Sequence, residues 1–198
     1  MHALAMDDLA IAVVLWDGVE ELDLAGPYEV LTAWARESER EITVSTVAES
    51  TEPVRCSHGL RVLPDLAWSD VGHIDVLVLP GGDSRPLVAD NAFVQRMRDL
   101  AGAGTLMTSV CTGALVYGAA GLLAGRPATT HWSALERLAA YDAEVDPDAR
   151  FVDDGDIVTA AGVSAGIDMA LHLVARLESP ERAPSIRRDI QYDPQPPV

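Results

Sequence analysis

The sequence predicts an α/β fold in which helices cover both faces of a mainly parallel central sheet. Short apolar runs, among them residues 10–16 and 74–79, are hydrophobic on both faces, which is typical of strands at the centre of such a sheet. These runs alternate over most of the chain with longer segments of helical periodicity, and this alternation favours parallel strands joined by helices. The length of 198 residues suits one domain.

The predicted strands end at clear turn signals. Residues 74–79 stop abruptly at Pro80-Gly81-Gly82-Asp83. Two pairs of shorter runs flank residues 57–59 and 153–155, and glycine in each of these turns predicts a β-hairpin. In chain order, we expect strands over residues 10–16, 41–47, 74–79 and 105–110, and hairpins over residues 54–63 and 151–159.

Helices are predicted where apolar residues recur at intervals of three and four. In the first helix, Val30, Leu31 and Trp34 have this spacing. Pro27 lies near its expected start, where a proline is tolerated because no N–H is needed. In chain order, we expect helices over residues 25–36, 91–101, 112–123, 133–140 and 164–177.

Both ends of the chain are predicted to be peripheral to a single domain spanning residues 1–198. These peripheral segments are residues 1–9 and the proline-rich tail, residues 179–198. Proline breaks helices, so we expect the tail to be extended or wrapped over a surface. The prolines concerned are Pro180, Pro184, Pro194, Pro196 and Pro197.

The charge and composition exclude several classes of function. Fourteen basic and 31 acidic residues give a net charge of −17, which offers no affinity for nucleic acid or for anionic membranes. No apolar run reaches the ~18 residues of a membrane span, and residues 1–8 do not resemble a secretory signal. Two cysteines form no disulfide framework, so we expect a cytoplasmic protein. Metal-ligand spacing, phosphate loops and dinucleotide fingerprints are also missing from the sequence, and we expect neither a metal nor a cofactor.

Cys111 is the strongest candidate for a catalytic residue. It directly follows a predicted strand and precedes a predicted helix, which is the layout of a nucleophile elbow with cysteine in place of serine. The N–H groups at a helix start favour a thiolate, so we expect the pKa of Cys111 to lie below the ordinary value of about 8.5. Gly113 lets the helix approach the turn closely. The alternative is a buried structural cysteine, which is how we interpret Cys56.

Gly81 and Gly82 form a second candidate element of the site. Their loop also leaves the carboxyl end of a strand, where open α/β sheets place their binding sites. Two glycines allow close approach of the backbone, and their N–H groups could help to bind an anion beside Cys111. The alternative is an ordinary tight turn.

Asp23 is the candidate for proton transfer, and His131 is a candidate for the lining of the pocket. Asp23 lies between two leucines, an environment that raises the pKa of a carboxyl group. The alternative role for Asp23 is an N-cap of the first helix. His131 lies between a strand-like segment and a helix, so capping or core packing is its alternative to a place in the pocket.

Several motifs together resemble the ThiJ/PfpI family over residues 11–177. The resemblance implies a flavodoxin-like sandwich of the class I glutamine amidotransferase type, usually a homodimer. It implies that Cys111 is the nucleophile, that Asp23 is the supporting carboxyl group and that Thr112 places a hydroxyl beside the thiolate. It also implies backbone donors at Gly81 and Gly82. The motifs are residues 17–27, 80–82, 109–114, 128–132, 161–168 and 191–197.

The residues that differ among family members indicate a branch. Many members carry glutamate at the carboxyl position and histidine after the cysteine, whereas this chain has Asp23 and Thr112. This variant resembles the branch that hydrates small-molecule isonitriles to N-substituted formamides through a cysteine thioimidate. The alternatives are glyoxalase or deglycase activity and a cysteine-based redox, electrophile or ligand sensor. The same motifs occur in AraC-type regulators, but no helix-turn-helix pair follows them here.

Overall fold

A computed structural model of the chain describes residues 8–193, which form eleven strands and seven α-helices. The strands are β1 (Leu9–Val14), β2 (Ile42–Ala48), β3 (Val54–Arg55), β4 (Arg61–Val62), β5 (Leu66–Ala67), β6 (Val76–Leu79), β7 (Leu106–Val110), β8 (Pro127–Ala128), β9 (Glu144–Val145), β10 (Phe151–Asp153) and β11 (Ile157–Ala160). The helices are α1 (Glu21–Glu37), α2 (Arg85–Ala89), α3 (Asn91–Gly102), α4 (Ala114–Ala119), α5 (Leu135–Ala139), α6 (Ala165–Leu177) and α7 (Arg182–Asp189). Short 3₁₀ turns are formed by Trp68–Asp70, Cys111–Gly113 and Trp132–Ala134.

The central sheet has the strand order β10-β11-β7-β6-β1-β2-β5. Its strands are parallel except for β10, which pairs antiparallel with β11. One apolar cluster lies between the sheet and α1 and α6, and a second lies between the sheet and α3, α4 and α5. Every residue of β6 and β7 is buried, as expected of strands covered on both faces. The predicted α/β fold is confirmed, and so are both hairpins, β3–β4 and β10–β11.

The register of the central strands sets the position of the site. Leu79 pairs with Ser109, and Val110 pairs with Ala160, so β6, β7 and β11 end at the same edge of the sheet. The three segments that follow these strands therefore begin side by side. They carry Gly81, Cys111 and the turn at residues 161–163.

Several helices differ from the sequence prediction, α1 and α4 among them. Helix α1 begins at Glu21 rather than at residue 25, because the chain turns into the helix directly after Val19 forms a backbone bridge with Gly82. The alternative role of Asp23 as an N-cap was therefore wrong, since Asp23 lies inside the first turn. The helix predicted over residues 112–123 is a 3₁₀ turn followed by the short α4, which ends before Gly121 adopts a φ of +73°.

The tail was predicted to be extended or wrapped over a surface, and the extended alternative is corrected. Residues 182–189 form α7, which buries Ile186 against the cluster that contains α1 and α6. Pro184 is the third residue of α7, where a backbone N–H has no partner within the helix, so the proline costs no hydrogen bond. At the other end, Leu9 is buried as the first residue of β1 and is not peripheral. Residues 1–7 and the last three prolines lie outside the described residues.

Candidate active site

Cys111 occupies a strained turn between β7 and a short helical segment. Its φ is +58°, a left-handed conformation that is rare for residues other than glycine. The Cys111 N–H donates to the carbonyl of Ala161 at 2.9 Å, and the Cys111 carbonyl accepts from Thr130 Oγ1 at 2.6 Å. The strand–turn–helix layout predicted from the sequence is present. Gly113 permits it, because a Cβ at this position would lie 2.2 Å from the carbonyl oxygen of Leu79.

The carboxyl group of Asp23 is fully buried beside the Cys111 thiol. Its Oδ2 accepts a hydrogen bond from the Gly81 N–H at 2.9 Å. Burial raises the pKa of Asp23 to about 7, against the opposing effect of the hydrogen bond from the Gly81 N–H and of the nearby Cys111 thiol and Val163 N–H. Asp23 therefore exchanges a proton near neutral pH, as its position between two leucines predicts.

The pKa of the Cys111 thiol is raised, contrary to the sequence expectation. Burial raises it to about 12, and the negative charge of Asp23 raises it further, while N–H groups of Thr112 and Val163 act to lower it. The predicted thiolate was wrong because the sulfur is buried beside a carboxyl group. The short segment after it cannot offset both effects. The Cys111–Asp23 pair thus retains its thiol proton at neutral pH.

Gly81 fills the space between the reactive side chains. A Cβ on Gly81 would lie 2.6 Å from the Thr112 nitrogen and 2.7 Å from both Asp23 Oδ2 and Cys111 Cβ. Any larger residue would force apart Asp23, Cys111 and the turn that follows it. The loop contains glycine at this position because no side chain would fit, which is a more direct reason than the preference of turns for glycine.

Thr112 connects the elbow to the glycine loop. Its Oγ1 donates to the carbonyl of Gly82 at 2.8 Å, and the Gly82 N–H lies 3.0 Å from the same oxygen. The N–H groups of Gly81 and Gly82 are thus directed at Asp23 and Thr112 in this structure, not at an open anion site. The backbone N–H groups that act to lower the pKa of Cys111 belong to Thr112 and Val163.

His131 adopts the role that the sequence offered as its alternative. Its Nδ1 accepts from the Ser133 N–H at 3.3 Å and so caps a 3₁₀ turn. The ring covers Gly162, where a Cβ would lie 2.2 Å from the His131 Cδ2. Among residues 8–193, no hydrogen bond joins His131 to Cys111 or Asp23, so His131 borders the site through Gly162.

Val163 is a site residue that the sequence reasoning missed. It has a φ of +51°, and its N–H acts to lower the pKa of both Asp23 and Cys111. A backbone donor leaves no trace in the type of side chain at its position. The available signal was positional, because Gly162 and Val163 lie between the end of a strand and the start of a helix.

One group of side chains within residues 8–193 has the atoms to hold a metal ion. Ligand atoms of Glu20, Glu21 and His58 lie within 4.8 Å of one another. They already bond to each other and to Ser57, and the side chain of His58 is 73% exposed. Burial acts to raise the pKa of Glu21, but hydrogen bonds from His58 and Ser57 outweigh it and lower that pKa to about 2. The group stabilises the contact between the β3–β4 hairpin and the start of α1.

The fold and the site define a class of protein, namely α/β proteins with a cysteine on a strand-to-helix elbow and a carboxyl group beside it. Comparison with known proteins gives the family. The chain belongs to the DJ-1/PfpI family, whose family model matches residues 10–176. In the described part of the chain, the helices are too short or too polar to cross a membrane.

Relatives of the chain include enzymes of different reactions. An isonitrile hydratase of Pseudomonas putida is 39% identical over 190 residues, which cover 96% of this chain and 81% of that protein. The glutathione-independent glyoxalase DJR-1.2 of Caenorhabditis elegans is 28% identical over 152 residues, covering 75% of this chain and 81% of that protein. The crystal structure of a ThiJ/PfpI family protein from Pseudomonas syringae has a TM-score of 0.88 at 34% identity and covers 98% of this chain and 79% of that chain.

Proposed function

We propose that the protein is a cysteine-dependent enzyme that adds water to an isonitrile, R–N≡C, and releases an N-substituted formamide. The observation that carries the proposal is the pair formed by Cys111 and Asp23, a thiol beside a carboxyl group whose pKa is about 7. The terminal carbon of an isonitrile must gain both a nucleophile and a proton. A thiol and a proton-exchanging carboxyl group supply these together.

In the first step, the Cys111 sulfur attacks the terminal carbon of the isonitrile. The thiol proton passes through Asp23 to that carbon, which gives the thioimidate R–N=CH–S–Cys111. The proton therefore moves with the new C–S bond, and no free thiolate has to persist at neutral pH. N–H groups of Thr112 and Val163 stabilise negative charge on the sulfur while the proton is in transit.

In the second step, water adds across the C=N bond of the thioimidate. Asp23 takes a proton from the water as the water oxygen bonds to carbon, and it passes this proton to the nitrogen. The resulting R–NH–CH(OH)–S–Cys111 collapses when the hydroxyl proton passes through Asp23 to the sulfur and the C–S bond breaks. The products are R–NH–CHO and the regenerated thiol, so atoms balance over the cycle. A carboxyl group with a pKa near 7 is suited to both directions of proton transfer.

The test is formamide production from an aryl isonitrile by the wild type, Cys111→Ala and Cys56→Ala. We expect Cys111→Ala to lose at least about a thousandfold in kcat, because the covalent route disappears. Cys56 is the other free, buried cysteine, and its substitution should leave turnover within about twofold. Unchanged turnover in Cys111→Ala would exclude the proposed mechanism.

A glyoxalase-like activity is the second candidate, and the similarity to the C. elegans enzyme favours it. Assaying methylglyoxal beside the aryl isonitrile separates the two candidate activities. A glyoxalase converts methylglyoxal to lactate, whereas the proposed enzyme converts the isonitrile to an N-substituted formamide. A sensor of oxidants or electrophiles is a weaker candidate, because the raised pKa of Cys111 opposes the thiolate that oxidants attack.

We further propose that the protein works as a cytoplasmic homodimer on a small-molecule substrate, without a cofactor. The family resemblance supports the dimer, and the two unpaired cysteines support a reducing compartment. Light scattering at micromolar concentration should give twice the 21.1 kDa of one chain. A monomer at that concentration would contradict the dimer.

A further inference from the structure

The turn at residues 161–163 needs support from outside itself. Val163 combines a β-branched side chain with a φ of +51°, a conformation that persists only where surrounding structure holds it. Hydrogen bonds within the turn are long, at 3.2 Å from Ala165 N to the Gly162 carbonyl and 3.4 Å from Gly166 N to the Val163 carbonyl. The N-cap residue of α6, Ser164, makes no capping hydrogen bond to the helix.

Arg150 supplies support from the segment before β10. Its carbonyl accepts from the Ala161 N–H at 2.9 Å, and the Ala161 carbonyl accepts from the Cys111 N–H at 2.9 Å. Two backbone hydrogen bonds in series therefore connect Arg150 to the elbow cysteine. The guanidinium of Arg150 also reaches the start of α6, where its Nε donates to Asp168 at 2.9 Å and its Nη2 donates to Ser164 Oγ at 3.4 Å.

Tyr192 adds a third segment to this contact. Its hydroxyl donates to Asp168 Oδ1 at 3.2 Å, while Arg150 donates to the other carboxylate oxygen. Burial and the negative charge of Asp168 raise the pKa of Tyr192, so the phenol keeps the proton that it donates. Tyr192 lies in the tail motif at residues 191–197, to which the proposed reaction assigns no role.

We propose that Arg150, Asp168 and Tyr192 are positioning residues that hold the turn at residues 161–163 against Cys111, whose N–H donates to the Ala161 carbonyl. We call these three side chains the tail clamp. They join three separate segments of the chain at the first turn of α6, five residues from Val163. The role of the tail clamp in turnover rests on the proposed function, whereas its effect on the reactivity of Cys111 does not.

The test compares Tyr192→Phe and Arg150→Met with matched controls in a Cys56→Ala background, so that Cys111 is the only thiol. Tyr141→Phe removes a hydroxyl on the opposite side of the sheet, beside α4. Arg176→Met breaks an ion pair with Asp153 near the other end of α6. The rate constant for alkylation of Cys111 by iodoacetamide is measured between pH 6 and 10, and kcat and KM are measured with the aryl isonitrile.

Loss of the tail clamp should make Cys111 less reactive and raise the pKa of Asp23, because the released turn carries the Val163 N–H, which acts to lower the pKa of both groups. We expect alkylation at pH 8 to slow about threefold in Tyr192→Phe and about tenfold in Arg150→Met. The alkylation rate of the wild type should show an inflection near pH 7 that reports the titration of Asp23, whose pKa the negative charge of Glu20 also raises. In the two variants we expect this inflection to move to higher pH. We expect kcat to fall more than KM changes, and Arg150→Lys to restore part of the rate.

Unchanged alkylation profiles in folded Tyr192→Phe and Arg150→Met would overturn the proposal, and so would equal effects in the two controls. If Arg150→Met does not fold, Tyr192→Phe still decides the matter, since it removes one oxygen atom. A shifted alkylation profile in a protein without isonitrile turnover would support the tail clamp and reject the proposed reaction. The two proposals can therefore fail separately.

Discussion

The carboxyl group of Asp23 couples the chemistry of the site to the stability of the fold. It is completely buried and its pKa is about 7, against an ordinary value of 3.8. Between these two pH values the folded chain binds a proton that the unfolded chain does not. Asp23 therefore contributes stability below pH 4 that is lost as the pH rises through about 7.

Asp23→Asn should remove this pH dependence. We expect the free energy of unfolding of the variant, relative to the wild type, to rise by on the order of 3 kcal/mol between pH 4 and pH 8. Urea unfolding at four pH values in this range measures the difference. Asn91→Ala is the control, because this exposed side chain on α3 carries no ionisable group and its substitution should give a difference that is flat with pH. A flat difference for Asp23→Asn as well would refute the raised pKa.

Individual residues of the site were predictable where their chemistry lies in the side chain. Cys111 at the end of a strand and Asp23 between leucines both stand out in the sequence, and the structure brings them together. The direction in which the pKa of Cys111 is shifted was not predictable, because it depends on how deeply the sulfur is buried and on a carboxyl group 88 positions earlier in the chain. Val163 acts through its backbone, which side-chain patterns do not report.

The crossing of α1 and α6 is the element contact that bears most directly on the site. A Cβ on Gly166 would lie 3.0 Å from Pro27 Cγ and 3.0 Å from Val110 Cγ2. A proline ring and a β-branched side chain in a buried strand have little freedom to move aside. Since Val110 precedes Cys111 and Pro27 lies one turn after Asp23, the crossing also sets the distance between the two reactive groups.

Gly166→Ala should therefore destabilise the protein although alanine favours helices. We expect a loss of about 1–2 kcal/mol, in which overpacking exceeds the helix-propensity gain of up to ~1 kcal/mol. Gly102→Ala in the last turn of α3 is the matched control, because its added Cβ meets no atom within 4 Å and it should stabilise slightly. Urea unfolding of both variants measures the two changes in the free energy of unfolding, which should have opposite signs. Equal stabilisation by both substitutions would show that the crossing can adjust.

Elements with strong hydrophobic patterns were predictable, and those decided by tertiary contacts were not. The apolar runs at β1, β6 and β7 gave correct strands because a sheet covered on both faces needs apolar residues on both sides. The start of α1 depends on the bridge between Val19 and Gly82, which joins residues far apart in the chain. Helix α7 was missed because a proline in a first turn looks the same in sequence as one that breaks a helix.

At the scale of the whole molecule, the dominant feature is a net charge of −17 on 198 residues. Negative charges repel one another more strongly in the compact chain than in the unfolded one. Ion pairs act in the opposite direction, but most of those in the described residues include at least one exposed side chain, and the pair of Arg36 and Asp189, at 3.5 Å, has two. Pairs of this kind contribute little individually, so repulsion should dominate the response to salt.

The thermal stability of the protein should consequently increase with ionic strength at pH 8. Raising NaCl from 20 to 300 mM shortens the screening length from roughly 20 Å to below 10 Å, and we expect Tm to rise by a few °C. Near the sequence pI of about 4.4 the net charge vanishes, and the same change in salt should move Tm far less. Differential scanning calorimetry at the two pH values measures both responses. A fall in Tm with salt at pH 8 would mean that ion pairs such as Arg182–Glu178, which joins α6 to α7, outweigh the repulsion of the excess acidic groups.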